Sequence, residues 1–212
     1  MLNVHSFEFS PIAENTYVLY NEHKHCIIID PGCYYPEERE TLFTWIESRQ
    51  LVPKLLINTH CHLDHVFGNK DVAARYGLEL HISQKEKILL EHAPVSGLMY
   101  NLPFDNYDGP LHFLDEKGTV SLDNDLLEIR YTPGHSPGSL SFYSKADGFV
   151  ISGDALFQRS IGRTDLPGGN HGQLIESIKT QLLSLPPTTT VYSGHGPATT
   201  IGEEAGLNPF LK

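Results

Sequence analysis

Six residues constrain this chain more than any other stretch: His60-Cys61-His62-Leu63-Asp64-His65. Three imidazoles and a carboxylate fall within them, directly at the end of Leu55-Leu56-Ile57-Asn58-Thr59-His60, a short apolar run that reads as a buried strand. In an extended segment His60 and His62 lie two residues apart and face one side. A turn into a following helix then swings Asp64 and His65 towards a neighbouring point. Imidazole and carboxylate together suit zinc and other borderline divalent metals. A lone histidine is ordinarily a satisfied surface or core residue, whereas four donors at this spacing reverse that reading. Cys61 sits between two ligands, and strand alternation turns its side chain the other way, into packing.

Three more candidates each end a predicted strand. His135 lies in Thr132-Pro133-Gly134-His135-Ser136-Pro137-Gly138, Asp154 follows Phe149-Val150-Ile151-Ser152-Gly153, and His195 lies in Gly194-His195-Gly196-Pro197. The adjoining glycines let the backbone turn sharply beside each ligand. Alone, each signal is weak, and Asp154 reads equally well as a turn residue or helix cap. With the first cluster they make seven donors, which is what two metals need while keeping positions open for water and substrate. Asp30-Pro31-Gly32 reads either as a partner that orients a ligand histidine or as a strand-ending turn. His5, His23, His25, His81, His92, His112 and His171 have no second ligand at useful spacing.

The rest of the pattern supplies a scaffold. Runs around VHSFEF, NTYVLY and CIIID read as consecutive strands, and Glu37 to Arg49 as a helix. A helix from Val66 through Arg75 stops at Gly77; Glu79 to Ser83 reads as a strand and Gln84 to Glu91 as a helix. Ala93 to Pro110 has no period and reads as a long loop, in which Tyr100, Phe104 and Tyr107 either line a pocket or anchor the segment. Strands LLEIRYT, SLSFYS and FVISG follow, then a helix near Gly172 to Ser184 and a strand TTVYSG. The expected class is α/β (α+β): two packed sheets with helices outside. No linker divides the chain, so residues 1–212 are expected to form a single domain.

Composition narrows the partners. The formal net charge is −11 and the basic residues are scattered, so no stripe is present to neutralise phosphates and no nucleic-acid partner is expected. No window approaches the roughly twenty apolar residues of a membrane span. Three cysteines without scaffold spacing, and an amino terminus broken by His5 and Glu8, point to a reducing, cytoplasmic setting. No oligomeric state follows.

Taken in order, the seven donors make the sequence resemble the metallo-β-lactamase superfamily, and within it the short, single-domain glyoxalase II-like (hydroxyacylglutathione hydrolase-like) branch. The stretch from Asp154-Ala155-Leu156-Phe157 through Gly162-Arg163-Thr164-Asp165 to Pro167 resembles one shared by short glyoxalase II-like hydrolases and persulfide dioxygenases, and the ending Ile201-Gly202-Glu203-Glu204 with Asn208-Pro209-Phe210 resembles the short hydrolases. The resemblance implies a four-layer αβ/βα sandwich of two mixed sheets flanked by helices. It implies one divalent ion on His60, His62 and His135, a second on Asp64, His65 and His195, and Asp154 bridging them. Zinc is the first expectation, with iron or manganese compatible. The implied reaction is hydrolysis of a small-molecule 2-hydroxyacyl thioester such as S-lactoylglutathione by a metal-bridging hydroxide, which Asp64 and Asp154 position. Zinc β-lactamases of the common kind place a Cys where Asp154 stands.

Full-length glyoxalase II carries a helical carboxy-terminal domain that contacts glutathione, whereas this sequence runs only a little past His195. Arg163 stands where those enzymes place glutathione contacts and reads either as a substrate-carboxylate contact or as half of an ion pair. The thiol portion of the substrate therefore stays open. Alternatives are a mononuclear iron persulfide dioxygenase using His60, His135 and Asp154, or a hydrolase of another ester, lactone or amide. A non-catalytic metal module is disfavoured, because structural sites close on four ligands.

Overall fold

The computed structural model describes residues 1–212. The chain forms two compact units, one of Met1–Leu114 with Leu122–Asp125, the other of Asp115–Ser121 with Leu126–Lys212.

The first unit runs β1 (Asn3–Phe9), β2 (Glu14–Tyr20), β3 (His25–Ile29), α1 (Pro36–Ser48), β4 (Val52–Ile57), α2 (Leu63–Val66), α3 (Asn69–Tyr76), β5 (Leu80–Ile82), α4 (Lys87–Met99) and β6 (Leu111–Phe113). Its sheet follows sequence order from β1 to β6. Short turns make the first two pairings antiparallel, and helical crossovers make the remaining three parallel. β2 and β3 are buried along nearly their whole length, as sheet strands covered on both faces must be. α1 starts at Pro36, and Glu38 turns back to accept from the N–H groups of Tyr34 and Tyr35. It buries Leu42, Phe43 and Ile46 against Ile28, Leu56 and Leu80. α3 ends at Gly77 in the left-handed region, φ 66°, as its glycine predicts.

One expectation is corrected here. Ala93 to Pro110 is not all loop, because α4 continues through Pro94 to Met99. The Leu90 carbonyl, which a proline at position 94 cannot satisfy, accepts instead from Asn106 Nδ2 at 2.7 Å. The loop proper begins at Tyr100 and is pinned by its own side chains. Tyr107 donates its hydroxyl to the Pro110 carbonyl, and Phe104 stacks edge-on against Phe67. Tyr107 is therefore an anchor, and Phe104 both anchors the loop and lines a cavity with Tyr34, Arg39 and Phe67.

The second unit holds β7 (Thr119–Leu122), β8 (Asp125–Tyr131), β9 (Leu140–Ser144), β10 (Phe149–Gly153), the small hairpin β11 (Leu156–Phe157) and β12 (Ser160–Ile161), α5 (His171–Ser177), β13 (Thr190–Ser193), β14 (Thr199–Thr200) and α6 (Ile201–Leu207). Its main sheet has the order β14-β13-β10-β9-β8-β7. β10 and β13 are parallel across the α5 crossover; β8–β9, β9–β10 and β13–β14 are antiparallel. The expected helix to Ser184 is α5 followed by a π-turn over Ile178–Leu182, whose Leu174, Ile178 and Leu182 pack on Val150 and Val191.

Candidate metal centre

Strand direction collects the donors. In the first unit β3, β4 and β5 are mutually parallel, so their carboxy-terminal ends share one edge of the sheet, the edge where open α/β sheets bind ligands. Asp30 leaves β3 there, the stretch from His60 to His65 leaves β4, and Glu86 follows β5. All four predicted donors are present on this edge: His60 and His62 in the loop, Asp64 and His65 on α2. The His60 ring lies 4.8 Å from that of His62 and 4.1 Å from that of His65, centroid to centroid.

Buried carboxylates fix these rings. Asp30 adopts φ 50°, an uncommon conformation for a non-glycine residue, and is held there by four donors. Its Oδ1 accepts from Thr59 N–H at 2.7 Å and Asn58 Nδ2 at 3.2 Å; its Oδ2 accepts from Thr59 Oγ1 at 2.6 Å and lies 3.0 Å from His65 Nδ1. Since the single Thr59 hydroxyl proton goes to Asp30, Thr59 Oγ1 accepts from His60 Nδ1, 3.0 Å away. Both histidines are thus set with Nδ1 protonated, which leaves Nε2 as the metal-facing nitrogen. The sequence leaves Asp30 between two readings, and the structure places it in contact with a candidate ligand histidine as well as at the end of its strand.

Several supporting residues escape sequence reasoning. Glu86, fully buried, accepts from Cys61 N–H at 2.8 Å and so braces the ligand loop. Glu14, also fully buried, accepts from Thr16 Oγ1 at 2.9 Å, with Oε1 3.8 Å from His65 Nδ1. Burial pushes the Glu14 carboxyl well above the usual carboxylate range. Gly32 is required beside it, since a Cβ there would come within 2.0 Å of Glu14 Oε2. The sequence signals are faint: Glu14 opens β2, and Glu86 ends the short turn Gln84–Glu86 that leads into α4. Cys61 packs in the apolar core, and burial raises its thiol pKa, as expected of a packing residue.

In the second unit β8 and β10 are parallel to each other through β9, and β10 is parallel to β13, so His135, Asp154 and His195 emerge at one edge. A bulge between Ile151 and Gly153, with Gly153 at φ 52°, turns Asp154 out of the strand. Gly194 N–H donates to the Gly153 carbonyl at 2.9 Å and ties the Asp154 and His195 loops together. His135 Nδ1 donates to the Arg163 carbonyl at 2.7 Å, fixing the same tautomer seen in the first unit. The Arg163 side chain is exposed and pairs bidentately with Asp165, at 2.7 and 2.8 Å.

The donor spacing fits metal. Two ligands bonded at about 2.0–2.2 Å to one tetrahedral ion sit about 3.3–3.6 Å apart. Asp154 Oδ2 is 3.4 Å from His135 Nε2 and 3.6 Å from His195 Nε2, within that range, and Asp64 Oδ2 is 3.7 Å from His65 Nε2, just above it. A family model described as the metallo-beta-lactamase superfamily matches residues 10–195.

The chain belongs to the metallo-beta-lactamase superfamily.

A probable metallo-hydrolase, YqgX of Bacillus subtilis, is 39% identical over 95% of this chain and 93% of its own length. Hydroxyacylglutathione hydrolase GloC of Haemophilus influenzae is 36% identical over 99% and 98% respectively. Among solved structures, BLEG-1 B3 metallo-beta-lactamase superposes with a TM-score of 0.92 at 38% identity, covering 99% of this chain and all of that one. TTHA1623 in a di-iron-bound form follows at 0.89 and 35%, covering 98% of this chain and all of that one. The fold expected from the sequence is therefore the fold observed, and the family with its His/Asp groups supports a hydrolase that uses divalent metal. No helix is long and apolar enough to cross a membrane.

Proposed function

We propose that this protein is a cytoplasmic dinuclear metallohydrolase, a single catalytic domain over residues 1–212, that cleaves small 2-hydroxyacyl thioesters such as S-lactoylglutathione. The observation that carries the reading is Asp154 Oδ2, which stands at ligand-to-ligand distance from both His135 and His195 and so suits a carboxylate shared between two ions. His60, His62 and His135 would hold one ion; Asp64, His65 and His195 would hold the other. Bound there, zinc, iron or manganese would supply a water acidified to near-neutral pKa and positive charge for an acyl oxygen.

The chain's own residues do the rest. Asp30, Thr59 and the Arg163 carbonyl hold imidazoles in one tautomer, so the metal-facing nitrogens need no reorganisation. Asp64 and Asp154 present acceptors that orient the attacking water. A thiolate leaves without a general acid, which agrees with a donor set that contains none beyond the ligands. Arg163 is the proposed contact for a substrate carboxylate. The relative named hydroxyacylglutathione hydrolase supports the thioester, and the solved structure named a B3 metallo-beta-lactamase makes a β-lactam the competing substrate.

The test is metal analysis of reconstituted protein with three assays: S-lactoylglutathione hydrolysis, turnover of a chromogenic β-lactam, and oxygen uptake with a persulfide. Two ions per chain and thioester cleavage alone are expected. Saturation at one iron with oxygen uptake would replace the reading with a dioxygenase, and faster turnover of the β-lactam would replace the substrate.

A further inference from the structure

α4 is an unusual helix for a solvated surface. Its packing side is small, burying only Leu90, Ala93 and Gly97. Its other side exposes Ile88 (57%), Val95 (56%), Leu98 (69%), Met99 (81%) and, just beyond its end, Tyr100 (54%). Summed over these side chains, the exposed apolar area is on the order of 600 Å² per chain, at the top of what a soluble monomer leaves uncovered in one patch. We infer that this face of α4 is where two copies of the chain pair across a two-fold axis.

The spacing suits a second copy as the occupant. Ile88, His92, Val95 and Met99 follow intervals of four, three and four, which place them on one helix face. That series reads the same in both directions. An antiparallel copy therefore sets Ile88 against the partner's Met99 and His92 against the partner's Val95, and the two-fold repeats both contacts, as an isologous interface requires. The flanking charges are compatible with this register. Lys87 and Glu91 pair with each other on the same helix, and the symmetric partners of these positions are Tyr100 and Ser96, so no like charges meet. A lipid surface is a poorer fit, since a chain of net charge −11 is repelled by anionic headgroups. With Ile88, Val95 and Met99 on the seam and Leu98 and Tyr100 on its flanks, two copies bury at most about 1,200 Å², the low end for a specific interface, so the pairing is expected to be concentration-dependent. The inference holds whatever the enzyme's substrate.

Sedimentation equilibrium of the full chain between about 1 and 300 μM should show reversible passage from one chain to two. Added salt should tighten it, because screening relieves repulsion between two acidic copies. Val95→Glu and Met99→Glu, both at exposed positions where folding is not at stake, should each weaken association at least tenfold with metal content unchanged. Register is read by oxidative crosslinking, for which the native cysteines are all buried. A mixture of Ile88→Cys and Met99→Cys chains should crosslink, and neither alone should. A wild-type chain that stays single at 300 μM, a dimer that survives both glutamates, or crosslinking of Ile88→Cys with itself would each overturn the inference. So would binding of the single chain to phosphatidylcholine vesicles through this face.

Discussion

Asp30 Oδ2 lies 3.0 Å from His65 Nδ1, with both side chains closed off from solvent. The same carboxylate takes the Thr59 N–H and hydroxyl, so one side chain sets His65 directly and His60 through Thr59. Asp30→Asn keeps the shape but points an amide N–H at donors on one side. We expect the metal dissociation constant to rise about 10–100-fold, the usual effect of removing an orienting partner. Asp30→Ala strands these donors as well and should cost about 3–5 kcal/mol of stability. Isothermal titration with zinc and thermal melts of the apo protein read the two effects separately. Unchanged zinc affinity in both variants would reduce Asp30 to a turn residue.

Asp154 and Cys61 make the sharpest contrast between a proposed ligand and a packing residue. Asp154→Ala removes the oxygen within reach of both His135 and His195, and should end two-metal binding and lower kcat by orders of magnitude. Cys61→Ser places a hydroxyl in the apolar core, which should lower Tm while leaving kcat per folded molecule within a few-fold. A Cys61→Ser protein as inactive as Asp154→Ala, at equal metal content, would mean that the thiol takes part in the chemistry.

The candidate metal donors were legible in the sequence because metal chemistry concentrates such groups: four in six residues do not read as a solvated loop. His135, Asp154 and His195 were legible only by position, each at the end of a strand beside glycine. What the sequence hid depends on contacts far apart along the chain. Asn106 relieves Pro94 from sixteen residues beyond the carbonyl it satisfies, so α4 looked broken when it was not. Glu14 and Glu86 were not singled out, because their neighbours in sequence do not reveal that both side chains are fully buried. Asp30 was visible as a candidate, and only the parallel register of β3 and β4 decided its role.

All three cysteines are buried and unpaired with one another, and burial raises each thiol, Cys26 to about 12. A folded-state pKa above the unfolded value of about 9 means the contribution to stability is complete below pH 9 and lost as pH rises towards the folded values. Native protein at pH 8 should therefore react with no more than a trace of aromatic disulfide reagent, and denatured protein with three equivalents. Tm should fall above pH 9. A rapidly reacting thiol at pH 8 would show that one of the three is reachable in the native state.

Gly162 keeps Asp154 and His135 where they are. A Cβ at this position would lie 1.9 Å from the Asp154 carbonyl oxygen and 3.0 Å from the His135 ring, so Gly162→Ala must displace the backbone that carries a ligand. Loss of metal and a clear drop in Tm are expected. Gly206, on α6 with open space around it, is the control: alanine there should stabilise by about 0.5–1 kcal/mol and leave metal content alone. Equal behaviour of the two variants would remove the steric argument.

Arg163 has two roles that one substitution separates. Its carbonyl holds His135, and replacing the side chain leaves that bond in place. Its guanidinium is exposed and paired with Asp165, whose carboxyl it holds down to about 2. That depressed value means the pair is intact at all pH above the ordinary carboxylate range and is lost only as pH falls towards 2. An exposed pair contributes little to stability, so a substrate carboxylate can displace Asp165 readily. Arg163→Ala should leave metal content and kcat unchanged and raise KM several-fold for S-lactoylglutathione, which bears carboxylates. It should not affect a lactoyl thioester of a neutral minimal thiol. Asp165→Asn, which removes this ion pair, should lower KM for the first substrate about two- to threefold and leave Tm within a degree. If both variants match the wild type on both substrates, Arg163 serves only its neighbour, and the carboxylates of the thioester must be met by other residues.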